Sequence, residues 1–114
     1  MSTNWKRLYG PIVTPDNAAH VILTVPAQLA YVIGKFTISN NNAAAATATI
    51  GITPNGGALA QVYEKVIPGF PVQGGIMEVV ELEGAILNAG DTITFTDSAG
   101  GQLIPFISGV AYTP

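Results

Sequence analysis

Apolar and polar residues alternate with a period of two over residues 30–52, and this alternation constrains the fold more than any other feature. In one run Val32, Phe36 and Ile38 alternate with Ile33, Lys35 and Thr37, and in the next Ala46, Ala48, Ile50 and Ile52 alternate with Thr47, Thr49, Gly51 and Thr53. Asn40, Asn41 and Asn42 separate the runs, and asparagine tolerates a positive φ and closes tight turns. The pattern predicts an antiparallel hairpin with one buried face.

Short runs of the same kind continue along the chain between clusters of Gly, Pro and Asn. They cover residues 19–25, 59–67, 76–82, 91–96 and 102–112. Pro105 makes the last run an edge or bulged strand, and the glycines and prolines of residues 70–75 predict a loop. Because no helical period is visible, the sequence predicts an all-β chain. The expected fold is an antiparallel β-sandwich of seven or eight strands, either a jelly roll or an immunoglobulin-like sandwich.

Composition limits the environment of this sandwich. The 114 residues suffice for one domain, and only 10% of them are charged, against about 25% in an ordinary soluble domain. The net charge of −3 argues against binding to nucleic acid. No apolar run approaches the ~20 residues of a membrane helix, no secretory signal is visible, and no cysteine is present. We therefore expect neither nucleic acid nor membrane as a partner, and a weakly charged surface that contacts protein.

Residues 1–17 differ from the remainder, because they show neither kind of periodicity. We predict an extended N-terminal arm over residues 1–17 and the sandwich domain over residues 18–114. The arm contains Trp5, Lys6, Arg7 and Tyr9, a mixture of aromatic and basic side chains that is enriched at protein interfaces. We expect these four residues to contact a neighbouring subunit; the alternative is that the arm packs on its own sandwich or is frayed.

An all-β chain with so few charged residues should aggregate unless its strand edges are covered. The simplest cover is a homo-oligomer, with a trimer favoured and a dimer as the alternative. We expect its interface at four apolar positions that the alternation assigns to outward faces: Tyr31, Ile33, Leu103 and Ile107.

No pattern in the sequence indicates catalysis. His20 is the only histidine, and no motif places it beside a nucleophile or metal ligands. Glu81 and Glu83 would share a face on a continuous strand, at a separation that glycosidase carboxylates can have, but solvated outward positions are the simpler interpretation. We expect no enzymatic activity, no catalytic residues, no cofactor and no metal.

Several short motifs, taken together, resemble small all-β virion proteins of tailed bacteriophages. They are Lys6-Arg7-Leu8, Leu23-Thr24-Val25-Pro26-Ala27, Phe36-Thr37-Ile38-Ser39-Asn40, Ile52-Thr53-Pro54 and Leu87-Asn88-Ala89-Gly90-Asp91-Thr92-Ile93. The resemblance extends from about Leu8 to Tyr112. It implies a capsid decoration (cement) protein on the outer surface of the virion, an oligomer that clamps neighbouring copies of the major capsid protein.

Similar domains also occur in tail and fibre proteins, so the resemblance leaves a second function open. In that alternative the chain is a tail or fibre module whose loops bind a receptor on the host surface. The candidate loops are residues 40–45, 54–57 and 97–101, which carry small polar side chains suited to binding or to plain turns.

Overall fold

The structure, a computed structural model, describes residues 5–55 and 65–114 as strands and turns, without a helix. No helix in this part of the chain could therefore cross a membrane. The strands are β1 (Trp5–Tyr9), β2 (His20–Thr24), β3 (Ala30–Asn40), β4 (Ala46–Thr53), β5 (Lys65–Val72), β6 (Met77–Val80), β7 (Ile86–Leu87), β8 (Thr92–Asp97) and β9 (Leu103–Tyr112). The predicted Gly56-Gly57 turn and residues 59–64 of a predicted strand lie outside the described residues.

The strands form two antiparallel sheets, as predicted for a β-sandwich. One sheet has the order β1-β9-β3-β6, with β7 also paired to β3, and the other has the order β2-β8-β4-β5. The pairs are nested: β4 pairs with β5, β3 with β6 and β7, β2 with β8, and β1 with β9. A long hairpin rolled into two sheets gives this nesting, which is the jelly-roll arrangement. The nesting therefore decides between the two predicted topologies.

The core lies between the sheets and consists of the inward side chains of both. Phe36, Ile38, Ile50, Ile93 and Phe95 are fully buried there. Strand β8 keeps the predicted alternation, because Ile93 and Phe95 are buried while Thr92, Thr94 and Thr96 are partly exposed.

A β-bulge at Gly34 changes which residues of β3 face the core, so the predicted faces of this strand are partly wrong. The pairing of β3 with β9 shifts between Ile33 and Lys35, so one extra residue reverses the inward positions along the strand. Tyr31 and Ile33 are therefore buried before the bulge, and Phe36 and Ile38 after it. The prediction that Tyr31 and Ile33 face outward is wrong, because strict alternation cannot reveal an inserted residue.

Strand β9 has apolar residues on both faces, and the face that was predicted to lie outward is the one that packs in the core. Leu103 and Ile107 are fully buried, whereas Ile104, Phe106 and Val110 are only partly buried. The four predicted outward positions thus belong to the core, and an interface between copies would have to use other residues. Pro105 lies in the half of β9 that β1 does not cover, so the predicted edge character holds for that half alone.

Part of the predicted arm is a strand of the sandwich. Residues Trp5–Tyr9 form β1, which pairs with β9 at one edge of the five-stranded sheet, and Leu8 and Tyr9 pack against the core. Thr14 is also buried, and Asp16 and Asn17 lie beside Gly100. Residues 5–17 therefore follow the alternative interpretation, in which this segment packs on its own sandwich.

Two other segments differ from the sequence prediction. Strand β5 continues through Phe70 and Pro71 to Val72, where a loop was expected; as an edge strand it tolerates proline. Strand β6 ends at Val80, and Glu81 and Glu83 lie in the following turn, where the Leu82 amide donates to the Val80 carbonyl. The two glutamates thus do not share the face of one continuous strand.

Candidate interaction surface

The first candidate surface is one end of the sandwich, where Asp97 holds the β8–β9 turn. Its carboxylate is completely buried and accepts hydrogen bonds from the backbone amides of Ala99 (2.9 Å), Gln102 (2.8 Å) and Leu103 (2.8 Å). No cation accompanies it among the described residues. Three donors compensate for burial of the charge, so Asp97 has a structural role in this turn.

Asn40 has a similar role at the same end. Its buried side-chain amide donates to the carbonyls of Ala44 and Val72, and its side-chain oxygen accepts from the Asn42 amide and from Gln102 Nε2. The contact with Val72 joins the two sheets. The asparagine that ends the motif Phe36-Thr37-Ile38-Ser39-Asn40 therefore has a structural role: its hydrogen bonds hold this end of the sandwich together.

These contacts bear on the loops considered for receptor binding. Residues 40–45 and 97–101 meet at one end, since Gln102 Nε2 donates to Ala44 and the Thr47 amide donates to Ser98 Oγ. Residues 54 and 55 lie at the opposite end, where the Asn55 amide donates to the Asp91 carboxylate. The three candidate loops thus do not form one surface, and their polar groups are largely used within the turns.

The outer face of the four-stranded sheet is rich in threonine. Thr47, Thr49, Thr92, Thr94 and Thr96 occupy outward positions of β4 and β8, and Thr49 pairs with Thr96 across the strands. Some hydroxyls bond to backbone: Thr94 donates to the Gly51 carbonyl, and Thr49 accepts from the Gly69 amide. We call this surface the threonine face; it is hydroxylated and suited to contact with water.

The outer face of the five-stranded sheet is different. Its outward positions carry the apolar residues Trp5, Val32, Met77, Val79, Ile86, Ile104, Phe106 and Val110. We call this surface the apolar face. Trp5 is 65% exposed, Met77 60%, Ile86 59% and Val79 48%, so large side chains reach solvent here.

The register arranges these side chains in continuous rows. Trp5 pairs with Val110, Val110 with Val32, and Val32 with Ile86, which gives one row across four strands. Nearer the other end, Thr37 lies between Phe106 and Val79, and Ser39 lies between Ile104 and Met77. Directly opposite side chains of antiparallel strands are about 5 Å apart, so each row forms a connected surface.

A basic row divides the apolar face. Arg7 pairs with Ser108, and Ser108 with Lys35, which places two exposed cations between the apolar rows. The outward strand positions of this face include no acidic residue in the described part of the chain. The face therefore combines apolar area with positive charge.

Three of the four predicted arm residues contribute to the apolar face or its border. Trp5 and Arg7 point outward, Lys6 is exposed at the edge, and Tyr9 packs against the core rim. The Tyr9 hydroxyl donates to the Ile12 carbonyl at 3.5 Å, and partial burial raises the pKa of Tyr9. Their contact with a neighbouring subunit stays a prediction.

His20 lies on β2 beside Asp16, with Nε2 at 2.6 Å from Asp16 Oδ1. Asp16 also accepts from the Ala18 amide, and these two hydrogen bonds, the histidine first, lower the pKa of Asp16. No group of three histidine, cysteine or acidic side chains that could hold a metal, and no ligand-sized cavity, occurs within the described ranges.

The apolar face could be predicted only in part from the sequence. Residues 76–82 are apolar on both sides, so alternation assigns Met77 and Val79 no particular contact. The prediction that Leu103 and Ile107 face outward places Phe106, which alternates with them, on the inward face. Met77, Val79 and Phe106 could be placed on one surface only once the position of the bulge and the inward face of β9 were known. No family model, curated protein or solved structure matches this chain.

Proposed function

We propose that this chain is a structural protein of tailed-bacteriophage particles: a capsid decoration protein that binds the major capsid protein on the outer surface of the shell and stabilises the shell. The proposal includes a homo-oligomer, with a trimer favoured and a dimer as the alternative. It assigns the chain no enzymatic activity and no cofactor.

The apolar face is the observation that carries this proposal. Four large apolar side chains, those of Trp5, Met77, Val79 and Ile86, are exposed on one sheet. The described strands of the other sheet expose one, that of Val21, and present threonines on β4 and β8. Extended exposed apolar patches mark interaction sites, and each such side chain that becomes fully buried contributes roughly 1.5–3 kcal/mol. A protein that covers this face would therefore bind with useful affinity without any pocket.

The fold and the motif resemblance support the same interpretation. Jelly rolls occur in viral capsid proteins, although they also occur in lectins and cupins, so the fold supplies an analogy. Stabilisation of the shell would follow from mass action, because a protein that binds only assembled subunits shifts the equilibrium toward the assembly.

Rebinding to particles tests the proposal. Purified chain is added to particles of the encoding phage from which the bound copies have been removed, and occupancy is counted by quantitative mass spectrometry. Wild type should rebind and raise the temperature at which the particles release DNA. Met77→Glu, which places a charge on the apolar face, should weaken binding at least tenfold, about 1.4 kcal/mol.

Thr47→Glu is the matched control, because Thr47 is also exposed near the same end of the sandwich but lies on the threonine face. It should rebind like wild type. Failure of wild type to bind particles, combined with binding to host cells, would replace the proposal by the tail or fibre alternative. Equal binding by both glutamate variants would exclude the apolar face as the contact surface.

A further inference from the structure

The two edges of the five-stranded sheet carry opposite charges. Strand β1 forms one edge and exposes Lys6 and Arg7, whereas the other edge, formed by β6, the 81–85 turn and β7, carries Glu78, Glu81 and Glu83. None of these five side chains forms an ion pair with another described residue. Among the residues that the structure describes, each edge therefore has unpaired strand backbone together with uncompensated charge of one sign.

Both edges also expose a large apolar side chain at the same height on the sheet. The row from Trp5 through Val110 and Val32 ends at Ile86, so Trp5 and Ile86 occupy opposite ends of one row. The basic row ends at Lys35, and the 81–85 turn follows directly on β6 beside this part of β3. Arg7 on one edge is thus level with the acidic turn on the other.

Strand direction permits these two edges to meet. Because β1, β9, β3 and β6 alternate in direction across four positions, β1 runs antiparallel to β6. A second copy placed beside the first in the same orientation would therefore continue the sheet with an antiparallel pair.

We propose that copies of this chain associate head to tail, with β1 of one copy against the β6–β7 edge of the next. In this arrangement the strand positions of Trp5 and of Ile86 of the neighbouring copy lie side by side, and Arg7 lies beside Glu81 and Glu83 of that copy. Because the two contact surfaces differ, the association is heterologous. A rotation between successive copies closes it as a ring of three or more copies, which is the form proposed, whereas a pure translation would give an open filament. This inference rests on the homo-oligomer in the proposed function and names its interface.

Charge excludes the symmetric alternatives. Pairing β1 with β1 of a second copy would bring Lys6 and Arg7 against the same cations, and pairing the opposite edges would bring glutamates together. Like charges directly opposite on neighbouring strands are destabilising. Only the head-to-tail contact places opposite charges together.

Charge reversal in the purified full-length chain tests the inference without particles. K6E/R7E and E81K/E83K should each raise the monomer fraction at least tenfold in sedimentation experiments at a fixed concentration. The variant with all four changes should restore the wild-type ring, because it exchanges the charges of the edges. T47E, which adds a charge on the threonine face away from both edges, should leave the ring intact. A monomeric wild type, or an oligomer that neither reversal weakens, would overturn the inference.

Disulfide trapping tests the same contact between copies if a charge-reversal variant fails to fold. The chain has no cysteine, and Trp5 and Ile86 lie three strand spacings apart within one copy, roughly 14 Å, too far for a disulfide. Oxidation of mixed W5C and I86C chains should give only W5C–I86C dimers. Homodimers of W5C chains would instead demonstrate β1–β1 pairing and overturn the inference. Neither experiment contains capsid protein, so a negative result in both would leave the capsid-binding proposal intact. Failure of the chain to bind particles would likewise leave the head-to-tail contact intact.

Discussion

The indole ring of Trp5 lies directly over Gly34, in the space that a side chain at residue 34 would occupy. The three atoms nearest to a Cβ added at Gly34 all belong to the six-membered part of the indole. Gly34 is also the extra residue of the bulge that reverses the faces of β3. The absence of a side chain at this point thus allows β1 to cover the sheet with its aromatic residue.

Gly34→Ala should displace the indole and lower the free energy of unfolding by about 1–3 kcal/mol, as overpacking does. Urea unfolding followed by far-UV circular dichroism measures this change, because that signal persists when Trp5, the only tryptophan, is replaced. In a Trp5→Ala background the same change should be nearly neutral, since the clash is gone. Equal losses in both backgrounds would show that Trp5 does not contact Gly34.

Asp97→Asn should destabilise the fold by at least about 2 kcal/mol. Asparagine has one acceptor oxygen where the carboxylate has two. Either the Ala99 amide, which bonds to Oδ1, or the Gln102 and Leu103 amides, which bond to Oδ2, would therefore face an NH2 group and lose their acceptor. Chemical denaturation measures the change, and Asp16→Asn, at an exposed carboxylate, provides the comparison. Similar unfolding midpoints for the two variants would contradict a structural role for Asp97.

Leu8→Ser should lower the free energy of unfolding by about 1–3 kcal/mol, because Leu8 packs against the core from β1. Lys6→Ser, on the same strand but exposed, should stay within about 0.5 kcal/mol of wild type. Thermal unfolding of the two variants distinguishes a docked strand from a free arm. A neutral Leu8→Ser would restore the arm interpretation for this segment.

The contact between Asp16 and His20 should make stability depend on pH in the acidic range. Since the pKa of Asp16 is lowered in the folded state, the contact stabilises the fold above the usual aspartate pKa of about 3.9. That contribution is lost as the pH falls through the folded-state pKa. NMR titration of the Asp16 carboxyl should show a higher pKa in His20→Ala, and an unchanged pKa would contradict the assigned cause.

Much of the fold could be predicted from the sequence because the two-residue period is local. The strand at residues 91–96 alternates without interruption, and the structure keeps it as β8 with Ile93 and Phe95 inward. Strand pairing could not be predicted, because it depends on contacts between distant residues. The nested order that defines the jelly roll became visible only in the register.

The candidate surface was harder to predict for two physical reasons. A bulge at Gly34 reverses the faces of β3, and β9 is apolar on both faces, so alternation alone could not assign Leu103 and Ile107 to the core. Strand β1 was missed because its first three residues are exposed on both faces, so its side chains show no apolar alternation. The errors on β3 and β9 concern which face a residue occupies, and together they assigned core residues to the outer surface.

Cryo-electron microscopy of the intact particle tests the central claim, that a neighbouring protein covers the apolar face. The account predicts density for this chain on the outer shell, with Met77, Val79 and Phe106 against the major capsid protein and the threonine face toward solvent. A particle that lacks the chain, or a bound chain whose apolar face is turned to solvent, would contradict the account.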